Sequence, residues 1–236
     1  MSDNTLVRQS ARELARLIRT RAVSPLDVLD AHLAAIKALN PKLNAVVTLA
    51  EEQARDNAQR AEQAVMTGEP LGALHGLPVG IKDITQTAGI RTTFASPLLK
   101  DNVPSEDEEV VRRLKAAGAI VLAKTNTPEF ACGANTNNAL FGPTRNPWNP
   151  ALSPAGSSGG SAVAVATGMT ALVQGTDYGC SIRIPAAFCG IVGIRPTPGL
   201  IPSYPKPLAW DPGEVHGPLA RDAEDAALML DAMVGF

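Results

Sequence analysis

Two loops of small residues carry the side chains best suited to covalent chemistry. One is Gly156-Ser157-Ser158-Gly159-Gly160-Ser161; the other is Gly175-Thr176-Asp177-Tyr178-Gly179-Cys180-Ser181-Ile182-Arg183. Upstream, Lys82 interrupts the apolar run Gly76-Leu77-Pro78-Val79-Gly80-Ile81-Lys82-Asp83-Ile84. A serine hydroxyl is a poor nucleophile until a partner removes its proton. Histidine is the usual partner, yet His75 and His216 bracket the serine loops and no histidine lies between them. His32 falls on an apolar helical stripe and reads as a packed core residue, so a Ser-His-Asp set would have to be assembled by the fold. A lysine serves if burial lowers its pKa from about 10.4 toward about 7–8, a shift of roughly 3 units or roughly 4 kcal/mol against the charged form.

Lys82, among Val79, Ile81 and Ile84, meets that requirement. Lys124, after Ala119-Ile120-Val121-Leu122-Ala123, meets it nearly as well, and these residues alone leave the two open. Either lysine reads equally as a strand-end residue with its ammonium in water. Cys180, beside Ser181, is a second candidate nucleophile. The Gly156–Ser161 loop runs directly into the apolar segment Ala162-Val163-Ala164-Val165-Ala166, which argues against a linker. It also lacks the lysine a phosphate-binding loop needs after its last glycine. At a helix start, its hydroxyls and backbone N–H groups suit a developing negative charge.

The elements that must position these residues follow from local pattern. Ser10-Ala11-Arg12-Glu13 reads as a capping box, and Ser24-Pro25-Leu26-Asp27 as a helix start with proline at its first position. Leu26, Leu29, His32, Leu33 and Ile36 mark the second helix's inner stripe, and Asn40-Pro41 is expected to end it. A short strand over 45–49 and a charged helix over 51–66 follow. Strands are expected over 77–84, 119–123, 171–176 and 191–194, and helices over 106–117, 161–168 and 223–233, the last capped by Asp222. Alternating helices and short apolar strands imply a mixed, largely buried sheet covered by helices on both faces, an α/β fold. The six prolines between 198 and 218 predict an irregular excursion near the site.

At 236 residues with 45% hydrophobic and 19% charged content, the chain can bury a full core. Its net charge of −2 gives no basic footprint for nucleic acid or an anionic membrane. The longest apolar stretch, 162–173, is broken by Thr167, Gly168 and Thr170 and is too short to span a bilayer. Cys132, Cys180 and Cys189 lack metal-ligand spacing and read as reduced thiols of a cytoplasmic protein. The first 22 residues carry no apolar secretory segment.

Gly80-Ile81-Lys82-Asp83, the glycine/serine loop and the segment from Gly175 to Gly190, ending Ile182-Arg183-Ile184-Pro185-Ala186-Ala187-Phe188-Cys189-Gly190, closely resemble the amidase signature family. Lys124-Thr125-Asn126-Thr127-Pro128-Glu129-Phe130 also resembles family sequence, which makes Lys124 a scaffold residue. The resemblance implies Ser181 as nucleophile, Ser157 after a cis peptide bond as proton relay, and Lys82 as base. It implies an oxyanion hole from the N–H groups of Tyr178, Gly179, Cys180 and Ser181, braced by Ser158, Ser161, Asp177 and Arg183. Cys180 and Ala155 stand where the family usually has glycine. The resemblance further implies hydrolysis of a small-molecule carboxamide with no cofactor or metal, and a homodimer among the allowed assemblies.

A single amidase domain over 1–236 is expected, its amino-terminal helices, 10–66, packing on an α/β core, 71–236. Family members run to roughly twice this length, so the sheet is expected to be incomplete, the chain a fragment, and its activity alone an open expectation. Two alternatives stand beside hydrolysis: a non-catalytic fragment, and an amidotransferase A-type subunit supplying ammonia to a partner. Phe141-Gly142-Pro143-Thr144-Arg145-Asn146-Pro147-Trp148 looks more like the stand-alone amidases.

Overall fold

The computed structural model of the chain describes residues 3–206, 208 and 211–235. Pro207, Ala209 and Trp210 of the proline-rich stretch, the first two residues and Phe236 lie outside the described residues.

Among the described residues, six strands form one mixed sheet: β1 (Val46–Leu49), β2 (Pro78–Lys82), β3 (Ile120–Thr125), β4 (Leu172–Asp177), β5 (Val192–Gly193) and β6 (Val215–Ala220). Their spatial order is β1-β3-β2-β4-β6-β5. The central strands β3, β2 and β4 are parallel, while β1, β6 and β5 pair antiparallel. Adjacent residues of β3 explain the burial of both faces. Val121 joins Val79, Ile81 and Leu172 in one apolar cluster, whereas Ile120 and Leu122 join Val173 and Leu219 in another. The period-2 alternation of side chains thus supplies two cores from one strand, as a sheet covered on both sides requires.

Helices α1 (Asp3–Leu6), α2 (Ala11–Arg19), α5 (Glu109–Ala116) and α8 (Ala223–Met233) contribute to the first cluster; α4 (Glu51–Thr67) and α6 (Gly159–Ala166) largely build the second. The long α3 (Pro25–Leu43) serves both, with Val28 and Ala31 on one side and Leu29, Leu33 and Ile36 on the other. The amino-terminal helices are tied to the end of the described chain. The Asp225 carboxylate of α8 accepts from Ala11 N at 2.7 Å and Arg12 N at 2.9 Å, filling orphan donors at the start of α2.

Several elements depart from the sequence expectation. At α2, Ser10 Oγ accepts from Glu13 N, but the Glu13 carboxylate binds Arg16 instead of closing the box. The reciprocal capping box stands at Ser24 and Asp27. Helix α3 continues through Pro41 to Leu43, where Asn44 caps it with φ 51°. The ring's missing N–H removes one helical bond, to Lys37 O, and the helix ends two residues later. Two elements lie in stretches expected to be irregular or motif only. Helix α7 (Arg183–Cys189) follows the second serine loop, and β6 emerges from the end of the proline-rich stretch. Pro218 fits inside β6 because its carbonyl accepts from Ile194 N on the β5 side. Its missing donor therefore faces the two-residue β5 and leaves the ladder with β4 intact.

Candidate active site

Parallel pairing brings the carboxyl ends of β2, β3 and β4 to one edge of the sheet, where open α/β sheets place their ligands. Lys82 is the last residue of β2 and Asp177 the last of β4. The loop ahead of α6 delivers Ser157 and Ser158 to the same edge. Its glycines are dictated by contact: a Cβ on Gly160 would meet Asn126 N at 2.3 Å and Ala45 O at 2.8 Å. Gly160 N instead donates to Asn126 O at 3.2 Å, fastening the start of α6 to the end of β3.

Lys82 is fully buried. Its Nζ lies 2.6 Å from Ser157 Oγ and 2.9 Å from Thr176 Oγ1. Burial pushes its pKa down to about 7, against the opposing pull of Glu214 and Asp177. The peptide bond between Gly156 and Ser157 is cis. Ser157 and Ser181 both line a cavity of about 570 Å³, together with Ile84, Phe130, residues 131–134, Thr176, Tyr178, Gly179 and Glu214. Ser157 is nearly sealed from solvent and Ser181 half-buried. Among the described residues, Ser181 Oγ has no hydrogen-bond partner, so the structure brings Lys82 into contact with Ser157 and sets Ser181 on the same cavity without a bond between the serines.

The turn after β4 is organised by Asp177. Its carboxylate accepts from Cys180 N at 2.8 Å and Ile182 N at 3.1 Å, and Arg183 donates to it through Nε and Nη2, each at 3.0 Å. Burial raises the Asp177 pKa, but the Arg183 guanidinium and the backbone amides of Ile182 and Cys180 outweigh it and hold the carboxyl below its usual range. These bonds change the expected set of oxyanion donors. Cys180 N is committed to Asp177, whereas the N–H groups of Tyr178, Gly179 and Ser181 have no acceptor among the described residues. Cys180 has φ 76° and Ala155 φ 64°, both in the left-handed region that glycine enters freely. Ser158 N donates to Ser181 O at 3.1 Å, and Ser158 Oγ donates to Thr176 O at 3.1 Å, so the two loops are bonded to each other. Ser161 Oγ contacts Thr125 Oγ1 at 2.7 Å.

None of the three histidines reaches a serine of the two loops. His32 Nδ1 bonds Gly168 O, His75 Nε2 bonds Ala61 O, and His216 lies between Gln174 and Ser203. Lys124 is also fully buried, but its Nζ turns to Thr85 O and to Thr87 Oγ1. A larger open groove of about 780 Å³ beside the start of α4 contains none of these serines or lysines. Among the described residues, no group of histidine, cysteine, aspartate and glutamate could hold a metal ion, and no helix is long and apolar enough to cross a membrane.

The sequence reading assigned no site role to Thr176, Gln174, His216 or Glu214. Gln174 Oε1 accepts from Lys82 N at 3.1 Å and Thr85 Oγ1 at 3.2 Å, while its Nε2 donates to Gly175 O and contacts His216 Nδ1, each at 2.9 Å. The signal that could have found Gln174 and Thr176 was a glutamine inside an apolar strand run, with Thr176 two residues on and therefore on the same face.

The family model described as Amidase matches residues 27–236. The A subunit of glutamyl-tRNA(Gln) amidotransferase from Carboxydothermus hydrogenoformans is 45% identical over 226 residues, covering 96% of this chain and 47% of that protein. Acylamidase of Rhodococcus erythropolis is 41% identical over 235 residues, covering 100% of this chain and 49% of that protein. A bacterial aryl acylamidase of the amidase signature enzymes superposes with a TM-score of 0.92 at 36% identity, over 97% of this chain and 48% of that one. The chain spans about half the length of the curated relatives it matches.

Proposed function

Because this chain belongs to the amidase family, we propose that it carries the nucleophilic machinery of a hydrolase that cleaves a carboxamide C–N bond through an acyl-enzyme on Ser181. The observation that carries this reading is the 2.6 Å contact between a fully buried Lys82 and Ser157 on the wall of the cavity that Ser181 also lines. A lysine with pKa near 7 is half neutral at neutral pH. In that form its Nζ lone pair accepts the Ser157 proton, and Ser157 Oγ in turn takes the proton of Ser181 as Ser181 Oγ bonds to the amide carbon. The carbonyl electron pair moves onto oxygen, beside the N–H groups of Tyr178, Gly179 and Ser181. Collapse of the tetrahedral species expels the amine, which takes its proton back through Ser157. Water then repeats the sequence to release the acid. Donors fixed in advance toward the developing oxyanion are worth several kcal/mol in such a step, about 2.7–4 for one of them.

Asp177, Arg183, Ser158 and Ser161 hold the two loops in this arrangement. In this reading the chain is one amidase domain with 10–66 packed on the core at 71–236, resident in the cytoplasm, acting on a small amide without cofactor, and with a homodimer allowed. The 45% identity to an amidotransferase of the A-subunit type supports a second reading, in which the same chemistry releases ammonia to a partner.

Incubation with a fluorophosphonate followed by peptide mass spectrometry tests the assignment. The expected adduct is on Ser181; an adduct on Cys180 or Ser157 overturns it. Ammonia release from glutamine and co-purification with a second protein would favour the transfer reading.

A further inference from the structure

Glu214 takes no step in the hydrolytic chemistry, although its charge pulls the Lys82 pKa upward from the wall of the same cavity. The β4–β6 register pairs Asp177 with Val215, so Glu214, one residue earlier, arrives beside the turn that carries Ser181. Two contacts fix it there. Arg195 donates to the carbonyl oxygens of both Asp177 and Gly213, joining the two turns. Gly213 lies against the Tyr178 ring so closely that a Cβ would come within 2.3 Å of it. The Glu214 side chain is half-buried, and among the described residues its carboxylate makes no direct hydrogen bond or ion pair, its charge acting on Lys82 at a distance. Among those residues it is also the one charged group on the wall of the 570 Å³ cavity, whose other walls are mainly small or apolar, with Ile84, Phe130 and Tyr178 the largest. It also lines a neighbouring cavity of about 220 Å³ that shares Ile84 and Phe130. That side chamber holds a second carboxylate, Glu108, already engaged by Gln86 N and His216, and Lys206, whose Nζ donates to Asp211 O.

We infer that Glu214 is a specificity-determining residue that selects amides carrying a cationic group, an ammonium or guanidinium seated at the junction of the two chambers. The inference rests on the hydrolytic reading for its chemistry and adds the class of substrate. A carboxylate on a largely apolar, partly enclosed wall lacks the solvent a surface acid enjoys, so a ligand cation that pairs with it gains more than an exposed ion pair would. A carboxylate-bearing amide is repelled from the same wall, which adds discrimination.

The test compares 5-aminopentanamide with hexanamide, which replaces the ammonium by a methyl group. Each is titrated as a protector of Ser181 against a neutral fluorophosphonate, in the wild type and in Glu214→Gln. Protection by 5-aminopentanamide is expected at about tenfold lower concentration, equivalent to about 1.4 kcal/mol, with the preference lost in the variant. Equal protection by the two amides in the wild type, or a preference that survives in Glu214→Gln, overturns the inference. Labelling at a residue other than Ser181 would overturn the hydrolytic assignment instead. Calorimetric titration of the same two amides then reads the preference independently of labelling, with the same two results deciding it.

Discussion

Lys82 and Lys124 stand on adjacent parallel strands, one rung apart, Ile81 pairing with Lys124 and Lys82 with Thr125. Both are fully buried, and burial lowers both, to about 7 and about 8. What separates them is the company each keeps. Lys82 meets two hydroxyls, both of which line an open cavity. Lys124 meets a backbone carbonyl and the Thr87 hydroxyl, with the Asp83 charge raising it against its burial. Asp83 is itself pushed up by burial, with Lys124 and Thr93 opposing, and its carboxylate binds Thr93 N and Oγ1. A perturbed pKa therefore locates a buried lysine; only the groups at its tip tell a base from a strut.

The largest expected effect separates the two outright. Lys82→Ala and Lys82→Arg should each slow Ser181 phosphonylation by on the order of 10³-fold, because arginine keeps its proton at any accessible pH. Lys124→Met should leave the rate per folded molecule within about threefold while lowering the urea midpoint. Substantial reactivity in Lys82→Arg would erase the distinction. A smaller loss, about tenfold, is expected for Thr176→Val, which removes one of the two hydroxyls that hold Nζ. An unchanged rate there would leave Ser157 as the sole determinant of the lysine's position.

Stability offers a subtler contrast. Each lysine has a folded pKa below its unfolded value of about 10.4, so the unfolded chain binds more protons between the two values. The burial penalty is complete below the folded pKa and is relieved as pH rises toward the unfolded one. Unfolding free energy should thus rise by roughly 1.4 kcal/mol per pH unit for each lysine, from about 7 upward for Lys82 and from about 8 for Lys124. Urea titrations of the wild type and Lys82→Met at pH values on either side of this window should show the slope reduced in the variant. An identical slope would mean that Lys82 is charged in the fold. The smallest effect concerns Cys180, held at φ 76°. Cys180→Gly should stabilise the chain by up to about 1 kcal/mol, read from the same urea midpoints.

The residues with the most conspicuous types were legible from sequence: a lysine in an apolar run and two serines in small-residue loops. The side chains that steer them were not. Gln174 and His216 meet across the β4–β6 ladder, and Glu214 reaches the site only through the register of a strand that its own Gly217-Pro218 pair disguised. Helix α7 was not expected from the sequence, and its Pro185 sits in the first turn, where the missing N–H costs nothing. The doubly covered sheet was readable because strands buried on both faces appear as unbroken apolar runs. Asp177's claim on the Cys180 amide could not be read, since it depends on which way a short turn folds back on its own carboxylate.

The central claim, that Lys82 works as a neutral base through Ser157, is tested most directly by the rate of Ser181 phosphonylation as a function of pH. The rate should rise about tenfold per pH unit on the acid side, bend near the Lys82 value of about 7 and level off above it. A rate that does not change across that value, or that keeps rising toward the ordinary lysine range of about 10.4, would contradict it.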